Sequence, residues 1–372
     1  MRPQARAHLA DLPAVVHGSI GDTELASIGL TRDDVIDFSV NVNPLGPSPA
    51  VTAAVRSAVW THYPDDRAEA LRRALARWNG VAENRVVVGN GSAELIWLIA
   101  LAFLDPGAPV VVVGPTFGEY VRAARIAGGV IYECRASDVD DFAVNVSTVV
   151  DLVRSLNARI VFLCNPNNPT GRWLPPGDIE ALVSRTPGTL VVVDEAYLQF
   201  VDEPPEPAPL LAYPNVVLLR SLTKDCALAG LRLGYLLADE EVCRGIDRVR
   251  PPWNVNAVAQ AAGLAAISDE VHLARARSEV RRARAFLLGK LSALGFRVIP
   301  PSANFLLVEV GDAAAWRSLL LRQGLVVRDC HSFGLPRYVR IGVRPLPDCE
   351  RLIAAFEEIV ARQLPIASTS AC

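Results

Sequence analysis

From residue 85 to residue 219 the sequence repeats one unit, made of a short apolar run, a turn with glycine or proline, and a helical pattern. The apolar runs lie at residues 86–89, 109–114, 130–134, 159–164, 190–193 and 216–219. Runs that are apolar throughout are typical of strands that are buried on both faces. Strands that alternate with helices form a mainly parallel sheet between helices. The pattern therefore predicts an α/β fold whose ligand lies at the carboxyl ends of the strands.

The pattern changes after Tyr235, where helices dominate and short strands recur near the end of the chain. This change predicts a smaller, C-terminal α+β domain. The predicted units are an N-terminal arm with a substrate loop at 1–45, a large domain at 46–250, the small domain at 251–364 and a flexible tail at 365–372. The tail is predicted to be flexible because it is short, small and polar.

Composition excludes several classes of function. The chain of 372 residues has a net charge of −3 and no evident basic face, which argues against a nucleic acid partner. The longest apolar run, 95–104, is about half of what a bilayer span needs, and the first residues lack the apolar segment of a signal peptide. Seven cysteines without a C-x-x-C pair suit the reducing cytoplasm, and five histidines without metal-ligand spacing predict no metal site.

The chemically most distinctive stretch is residues 221–235, which follow the last of the buried runs. A lysine forms an imine with an aldehyde only if its amine is held in a partly desolvated place. Lys224 stands there, and Ser221, Thr223 and Arg232 offer the donors that a phosphate on the same aldehyde would need. A lone lysine at such a place is more often an exposed turn residue. The combination favours a covalent attachment point.

Four other strand ends carry polar or aromatic residues. The turn at 89–94 opens a helix, and the free amides of a helix start attract anions. The segment 164–171 combines asparagines with prolines in a rigid turn. Asp194 ends an apolar run, where a carboxylate is costly to bury unless it is paired, although it could also cap a turn. Phe117 follows another run and either packs in the core or stacks on a flat ligand.

Together these segments resemble the fold-type-I pyridoxal-phosphate enzymes, in the branch of the class I/II aminotransferase family that holds histidinol-phosphate aminotransferases and threonine-phosphate decarboxylases. The resemblance runs from His17 to Arg344. It implies that pyridoxal 5'-phosphate is bound by Tyr63, Gly91, Ser92, Ala93, Phe117, Asn168, Asp194, Tyr197, Ser221, Thr223, Lys224 and Arg232.

The resemblance also implies individual roles. Lys224 would carry the cofactor, Asp194 would hold the protonated pyridine nitrogen, and Tyr197 would meet the phenolic oxygen together with Asn168. Tyr63 matches a residue that reaches the cofactor phosphate from the neighbouring subunit. This match implies a homodimer with shared active sites.

Substrate-contacting segments must indicate the reaction, since the cofactor motifs are common to several reactions. Arg340 lies on a C-terminal strand, where a guanidinium can grip a carboxylate or phosphate, and the resemblance adds Arg328, Asn43 and His17. These segments, together with Thr223, resemble those of threonine-phosphate decarboxylases. The expected substrate is therefore a phosphorylated amino acid or amino alcohol. The expected reaction is decarboxylation of O-phospho-L-threonine to aminopropanol phosphate in cobalamin biosynthesis.

Two alternatives stay open at the level of sequence. Ser19 and Ile20 follow His17-Gly18 where those decarboxylases continue with Gly-Asn, which leaves an aminotransferase of the histidinol-phosphate type as the second hypothesis. A cofactor-binding protein without catalytic activity is the third. The intact set of Lys224, Asp194 and Tyr197 argues against it.

Overall fold

The structure is a computed structural model that describes residues 6, 9, 12, 15 and 18–363. Two sequence predictions, the substrate-binding role of His17 and the flexible tail at 365–372, lie outside the described residues. The helices are α1 Asp22–Ser27, α2 Pro49–Ser57, α3 Glu69–Trp78, α4 Gly91–Phe103, α5 Glu119–Ile126, α6 Val146–Leu156, α7 Pro176–Arg185, α8 Ala208–Leu211, α9 Glu240–Asp247, α10 Ala257–Ser268, α11 Glu270–Ala293, α12 Ala313–Leu321 and α13 Leu346–Gln363. The strands are β1 Ile36–Asp37, β2 Val86–Gly89, β3 Pro109–Gly114, β4 Val130–Arg135, β5 Ile160–Cys164, β6 Leu190–Asp194, β7 Val216–Ser221, β8 Gly234–Ala238, β9 Arg297–Ile299, β10 Phe305–Glu309, β11 Leu325–Val326, β12 Arg328–Asp329 and β13 Tyr338–Gly342.

The large sheet has seven strands in the order β2-β8-β7-β6-β5-β3-β4. Strands β3 to β7 pair in parallel, and β8 runs antiparallel to both β2 and β7. Along β6, Val191 and Val193 belong to one apolar cluster, and Val192 belongs to the cluster on the other face. Because both faces are covered, these strands are apolar throughout, as the sequence pattern indicates. The predicted α/β class with a mainly parallel sheet is confirmed.

The second sheet is antiparallel, with the order β12-β13-β10-β9, and it forms part of the smaller C-terminal α+β layer. A separate parallel pair joins β1 to β11, so the N-terminal segment is attached to this layer. Phe38, just after β1, is completely buried in the same apolar cluster as Leu306 and Phe356. The domain boundaries inferred from the sequence stay a prediction.

Two helix boundaries differ from those that the sequence suggests. The sequence patterns suggest a helix over 49–60 and another over 66–78, whereas α2 ends at Ser57 and α3 begins at Glu69. The delay in α3 has a local cause, because the carboxylate of Asp65 accepts hydrogen bonds from the amides of Arg67 (3.0 Å) and Glu69 (2.7 Å). These bonds close a turn before the helix begins.

Strand β8 has no counterpart among the strands that the sequence predicts, and it inserts between β2 and β7. The apolar run of β8 directly follows the segment that carries Lys224. A short apolar run has no periodicity that distinguishes a strand from the neighbouring segment. In the part of the chain that the structure describes, no helix is both long and apolar enough to cross a membrane. Within the same residues, no group of three or more potential metal ligands comes together.

Candidate active site

A cavity of about 720 Å³ lies at the carboxyl ends of β5, β6 and β7. This is the edge where a parallel sheet with helices on both faces holds its ligand. Residues that the sequence predicts for the site and that line the cavity are Ser92, Ala93, Phe117, Asn168, Asp194, Tyr197, Ser221, Thr223, Lys224, Arg232 and Arg340. They come from eight separate segments between α4 and β13, so tertiary folding brings them together.

Lys224 lies three residues beyond β7 and its amine faces the cavity. Burial lowers the pKa of Lys224 to about 8, and the positive charges of Arg340 and Arg232 act in the same direction. The Nζ atom is 6.0 Å from the ring centroid of Tyr197. A lysine with this pKa is partly neutral near pH 7, and only the neutral amine attacks an aldehyde.

Asp194 ends β6 with only 4% of its surface exposed. Its Oδ2 accepts a hydrogen bond of 2.6 Å from the hydroxyl of Tyr120, and its Oδ1 accepts one of 3.0 Å from the amide of Ala196. Burial raises the pKa of Asp194 to about 6, although the bond from Tyr120 opposes this rise. The carboxylate therefore does hold a turn, and it also lines the cavity as a buried acid. Within the described residues it forms no direct ion pair, although the positive charge of Lys224 acts on it.

Tyr120 is a functional residue that sequence reasoning missed. It is completely buried, its ring stacks on Phe162 with a centroid distance of 5.2 Å, and its hydroxyl is aimed at Asp194. The only local signal is its place in the first turn of α5, three residues after Phe117. That signal does not separate a ligand-facing tyrosine from a core tyrosine.

The opposite end of the cavity is rich in donors. The hydroxyls of Ser221 and Thr223 are 2.7 Å apart, and the first turn of α4 supplies the amides of Ser92 and Ala93. Gly91 has a φ of +80°, and a Cβ at this position would lie 2.8 Å from Nη2 of Arg232. The absence of a side chain at Gly91 thus allows the guanidinium to approach the start of the helix. Amides, hydroxyls and a guanidinium around one point suit a phosphate group.

Arg340 lies on β13 and is 95% buried at the other side of the cavity. Its Nη2 donates to the carbonyl of Ser39 at 2.7 Å, its Nη1 donates to Oδ1 of Asn168, and its guanidinium lies 5.4 Å from the ring centroid of Phe305. Among the residues that the structure describes, Nε of Arg340 has no hydrogen-bond partner. A buried N–H without an acceptor is costly, so this guanidinium favours an anionic ligand.

Arg328 faces Arg340 across the β12–β13 pair and does not itself line the cavity. Its Nη2 donates to the hydroxyl of Ser332 at 2.7 Å, and its guanidinium lies 5.7 Å from the ring centroid of Phe333. Gly18 separates it from the cavity, since a Cβ at Gly18 would lie 3.1 Å from Nη2 of Arg340 and 3.7 Å from Cδ of Arg328. The two arginines therefore add their positive potential at the same wall.

Asn43 does not line the cavity, and its expected substrate-binding role stays a prediction. The main-chain amide of Asn43 donates to the carbonyl of Lys224 at 2.8 Å, and its Nδ2 donates to the carbonyl of Asp225 at 2.8 Å. Its Oδ1 accepts from the amide of Leu45 at 2.9 Å. Asn43 therefore braces the loop that carries Lys224 and is turned away from the cavity.

Asn41 lies two residues before Asn43, and it is the asparagine of this turn that borders the cavity. It lines the cavity, and its Nδ2 lies 3.4 Å from the hydroxyl of Tyr197, to which it donates. Its Oδ1 is buried and has no partner within the described residues. The two asparagines stand in one turn-forming cluster, and composition alone cannot tell which of them faces the ligand.

Tyr63 does not line the cavity of its own chain. It is 81% exposed and packs on Trp253 with a centroid distance of 4.7 Å. Its role as a contact from a neighbouring subunit stays a prediction.

The family model described as "Aminotransferase class I and II" matches residues 33–356. The chain is 39% identical over 366 residues to a histidinol-phosphate aminotransferase from Anaeromyxobacter sp. (strain Fw109-5), covering 96% of this chain and 99% of that protein. A solved histidinol-phosphate aminotransferase from Sinorhizobium meliloti in complex with pyridoxal 5'-phosphate has a TM-score of 0.87 at 25% identity, covering 98% of this chain and 99% of that one. A solved L-threonine-O-3-phosphate decarboxylase from Porphyromonas gingivalis has a TM-score of 0.76 at 28% identity, covering 88% of this chain and 100% of that one.

These relatives contradict the decarboxylase function that the sequence analysis favoured. Further curated relatives at 34–38% identity are also histidinol-phosphate aminotransferases. The features that suggested a decarboxylase include Thr223, which lines the cavity, and the turn at 38–46, whose Asn43 does not line it. Solved structures of both groups share this fold, so these features do not separate the two reactions. The expected lyase activity and the expected place in cobalamin biosynthesis are therefore wrong.

The cofactor prediction is confirmed, and the cavity fits it in three ways. The donor cluster around Ser221 suits the phosphate, the partly neutral Lys224 suits the aldehyde, and the buried Asp194 suits a protonated ring nitrogen. The match to the family model extends over most of the chain, and the fold agrees with solved pyridoxal-phosphate enzymes of the fold-type-I class. The chain therefore belongs to the class I and II aminotransferase family, as an enzyme that depends on pyridoxal phosphate.

Proposed function

We propose that this enzyme transfers the amino group of histidinol phosphate to an acceptor such as 2-oxoglutarate. The observation that carries the proposal is the identity of 39% to a histidinol-phosphate aminotransferase over nearly the full length of both chains. The cationic wall formed by Arg340 and Arg328 supports it, because both the phosphorylated amino donor and the acceptor are anions.

When bound, pyridoxal phosphate supplies an electron sink for the negative charge that develops at the substrate's α-carbon. Asp194 keeps a proton on the ring nitrogen, because a buried carboxylate is a strong partner for a cationic N–H. Tyr120 keeps Asp194 oriented through its 2.6 Å hydrogen bond. The negative charge of Asp194 is thus held in a fixed position by side chains that are already buried, so no rearrangement is needed during the reaction.

Lys224 has two tasks in the proposed reaction. It binds the cofactor aldehyde between substrates, and it removes and returns the proton at the α-carbon when a substrate is bound. Its pKa of about 8 suits the second task, since a base works best when its pKa lies near the operating pH. Asn43 holds the carbonyls of Lys224 and Asp225, so the amine starts from a fixed loop.

Arg340 orients the substrate. Its Nη1 and Nη2 are held by Asn168 and by the carbonyl of Ser39, and the guanidinium keeps a face toward the cavity. We propose that it receives the phosphate of the donor in one half of the reaction and a carboxylate of the acceptor in the other half. The two substrates can use one site because they bind in turn.

We also propose that the active enzyme is a homodimer. Tyr63 (81% exposed) and Trp253 (47%) form an exposed aromatic pair outside the cavity, and Trp60, three residues before Tyr63, is 75% exposed. Large exposed aromatic side chains in one patch are typical of protein interfaces. The molar mass in solution, measured by light scattering, tests this part, and a mass of about 40.0 kDa would contradict it.

The reaction is tested by incubating the purified holoenzyme with histidinol phosphate and 2-oxoglutarate. Glutamate should form in equal amount to the oxidised donor, and no carbon dioxide should be released. Histidinol without its phosphate should be a much poorer donor, because the cationic wall then has no anion to hold. Carbon dioxide release from threonine phosphate without glutamate formation would contradict the proposal.

A further inference from the structure

Behind the cavity wall lies a cluster of buried polar side chains to which the proposed reaction gives no task. Its members are Asn79, Glu195, Arg220, Asp225 and Tyr235, and each is at most 8% exposed. We call this set the Arg220 cluster. Buried charges are expensive, so a cluster of one cation and two carboxylates needs a physical reason.

Arg220 is the centre of the cluster. Its Nε donates to Oε2 of Glu195 at 2.8 Å, and its Nη1 donates to Oδ1 of Asn79. The Nδ2 of Asn79 donates to the hydroxyl of Tyr235 at 3.3 Å, and Tyr235 is the direct cross-strand neighbour of Arg220 in the β7–β8 pair. The side chains of Arg220, Asp225 and Tyr235 border one small void. The guanidinium is therefore held by partners from α3, β8 and the end of β6.

The Arg220 cluster and the wall of the cavity contain adjacent residues from the same two strand ends. Glu195 directly follows Asp194 after β6, and Asp225 directly follows Lys224 after β7. Asp194 and Lys224 face the cavity, whereas Glu195 and Asp225 line the void beside Arg220. Asp194 ends β6, and Lys224 and Asp225 lie in the turn that follows β7. At both strand ends, a residue that lines the cavity is thus followed by a charged residue that lines the void behind it.

This arrangement couples the charges of the two sides. Burial raises the pKa of Asp194, and the negative charge of Glu195 adds to this rise. Burial also raises the pKa of Asp225 to about 6, while Arg220 opposes that rise. The other titratable groups that act on Asp194 are Tyr120, Tyr197, Cys164 and Lys224. Arg220 is the one cation of the cluster, so its pairing with Glu195 removes most of the field that Glu195 alone would impose on the cavity.

We propose that the Arg220–Glu195 pair sets the electrostatic potential at Asp194 and Lys224 and so keeps both groups in the ionisation state that the bound cofactor requires. Arg220 is thus a positioning residue that acts on the reaction through the wall of the site. The proposal rests on the roles assigned to Asp194 and Lys224, and it holds whichever amino donor the enzyme uses.

The test is a double-mutant cycle of charge removal on the holoenzyme, with Arg220→Met, Glu195→Gln and the double variant. The readout is the pH midpoint of the visible absorbance of the bound cofactor, measured without substrate. Removing the cation leaves the charge of Glu195 unbalanced, which stabilises a bound proton, so Arg220→Met should raise the midpoint by about one pH unit. Glu195→Gln should lower it by about one pH unit, and the double variant should return close to the wild-type midpoint.

A purely structural role predicts a different pattern. The melting temperatures of both single variants would then fall, but their absorbance midpoints would not shift in opposite directions. Shifts of the same sign, or unchanged midpoints in folded variants, would overturn the proposal. If Arg220→Met does not fold, Glu195→Gln and the double variant still decide between the two. Arg282→Met is the matched control, because Arg282 pairs with Glu279 at 2.6 Å on the exposed face of α11 and should leave the midpoint unchanged.

Since the readout needs no substrate, failure of this proposal is distinct from failure of the proposed amino transfer. An enzyme that shows the opposite shifts but forms no glutamate would refute the assigned reaction and support the role of Arg220. An enzyme that forms glutamate but shows no shifts of the midpoint would support the assigned reaction and refute the role of Arg220.

Discussion

The hydroxyl of Tyr120 donates a 2.6 Å hydrogen bond to Oδ2 of Asp194, and the two residues are 74 positions apart in the chain. The bond ties the first turn of α5 to the end of β6, across the wall that would hold the cofactor ring. Because the acceptor is a buried carboxylate, this is a charge-assisted bond and stronger than a neutral one.

Tyr120→Phe should weaken cofactor binding about 10-fold to 100-fold while the fold persists. The ring still fills its place against Phe162, but Asp194 loses a bond of the charge-assisted kind, worth roughly 1.5 to 3 kcal/mol. The measurement is the dissociation constant of pyridoxal phosphate for the apoenzyme. Tyr132→Phe on the half-exposed edge strand is the control, and equal affinity in both variants would speak against the bond to Asp194.

Lys224→Ala should abolish turnover without unfolding the protein, because the change removes the imine nitrogen and the proton carrier together. Borohydride treatment of the wild-type holoenzyme should trap the cofactor on the peptide that contains Lys224. A trapped adduct on Lys290, the other lysine of the chain, would refute the assignment.

The attachment of the cofactor should also depend on pH. Since the pKa of Lys224 is lowered to about 8, the rate at which the apoenzyme takes up cofactor should rise with pH through a midpoint near 8. An ordinary lysine would give a midpoint near 10.4. Stopped-flow absorbance between pH 6 and pH 10 measures the profile, and a midpoint near 10 would show that the amine is not desolvated.

Asp194→Asn should lower kcat by more than about 100-fold while the protein still binds some cofactor. An amide fills the same space but cannot hold the proton of the ring nitrogen by charge. Steady-state kinetics together with the absorbance of the bound cofactor check this. Near-normal kcat would mean that another carboxylate serves the ring.

Arg340→Ala should lower kcat/KM by a factor that corresponds to about 1.5 to 3 kcal/mol, since it removes a charge-assisted contact to the substrate. Arg344→Ala is the matched control. Arg344 lies four residues on and pairs with Asp348 at 3.3 Å, away from the cavity. Equal losses in the two variants would point to a general effect of charge on stability.

Asp225→Asn tests the electrostatic cost of the Arg220 cluster in the apoenzyme. Burial raises the pKa of Asp225 from its ordinary value near 4 to about 6, so the unfolded chain loses this proton at lower pH than the folded chain does. The wild-type protein should therefore lose roughly 2 to 3 kcal/mol of stability from this group as the pH rises from 4 to 6, and the variant should not. Denaturant unfolding at several pH values measures the difference. An identical pH dependence in both proteins would contradict the raised pKa.

Much of the site could be predicted because its residues follow directly after buried strands. Lys224, Asp194 and Asn168 each follow or end an apolar run, and the ends of parallel strands meet at one edge of the sheet. The reaction was predicted wrongly, because the segments that bind the cofactor are shared by enzymes that break different bonds. Relatives of known function, and not any motif, correct this part.

The sequence by itself determined the α/β class, the place of the main strands and many of the residues that line the cavity. The reason is that strand and helix periodicity depends on backbone geometry over a few residues. Only the tertiary structure decided which polar groups meet. Asn43 donates to the carbonyl of Asp225, 182 positions away, while Asn41 lines the cavity. Arg220 donates to Asn79, which caps the end of α3. Such pairings depend on how distant elements pack, and a buried polar group takes whichever partner the packing brings within hydrogen-bond distance. No local pattern in the chain contains that information.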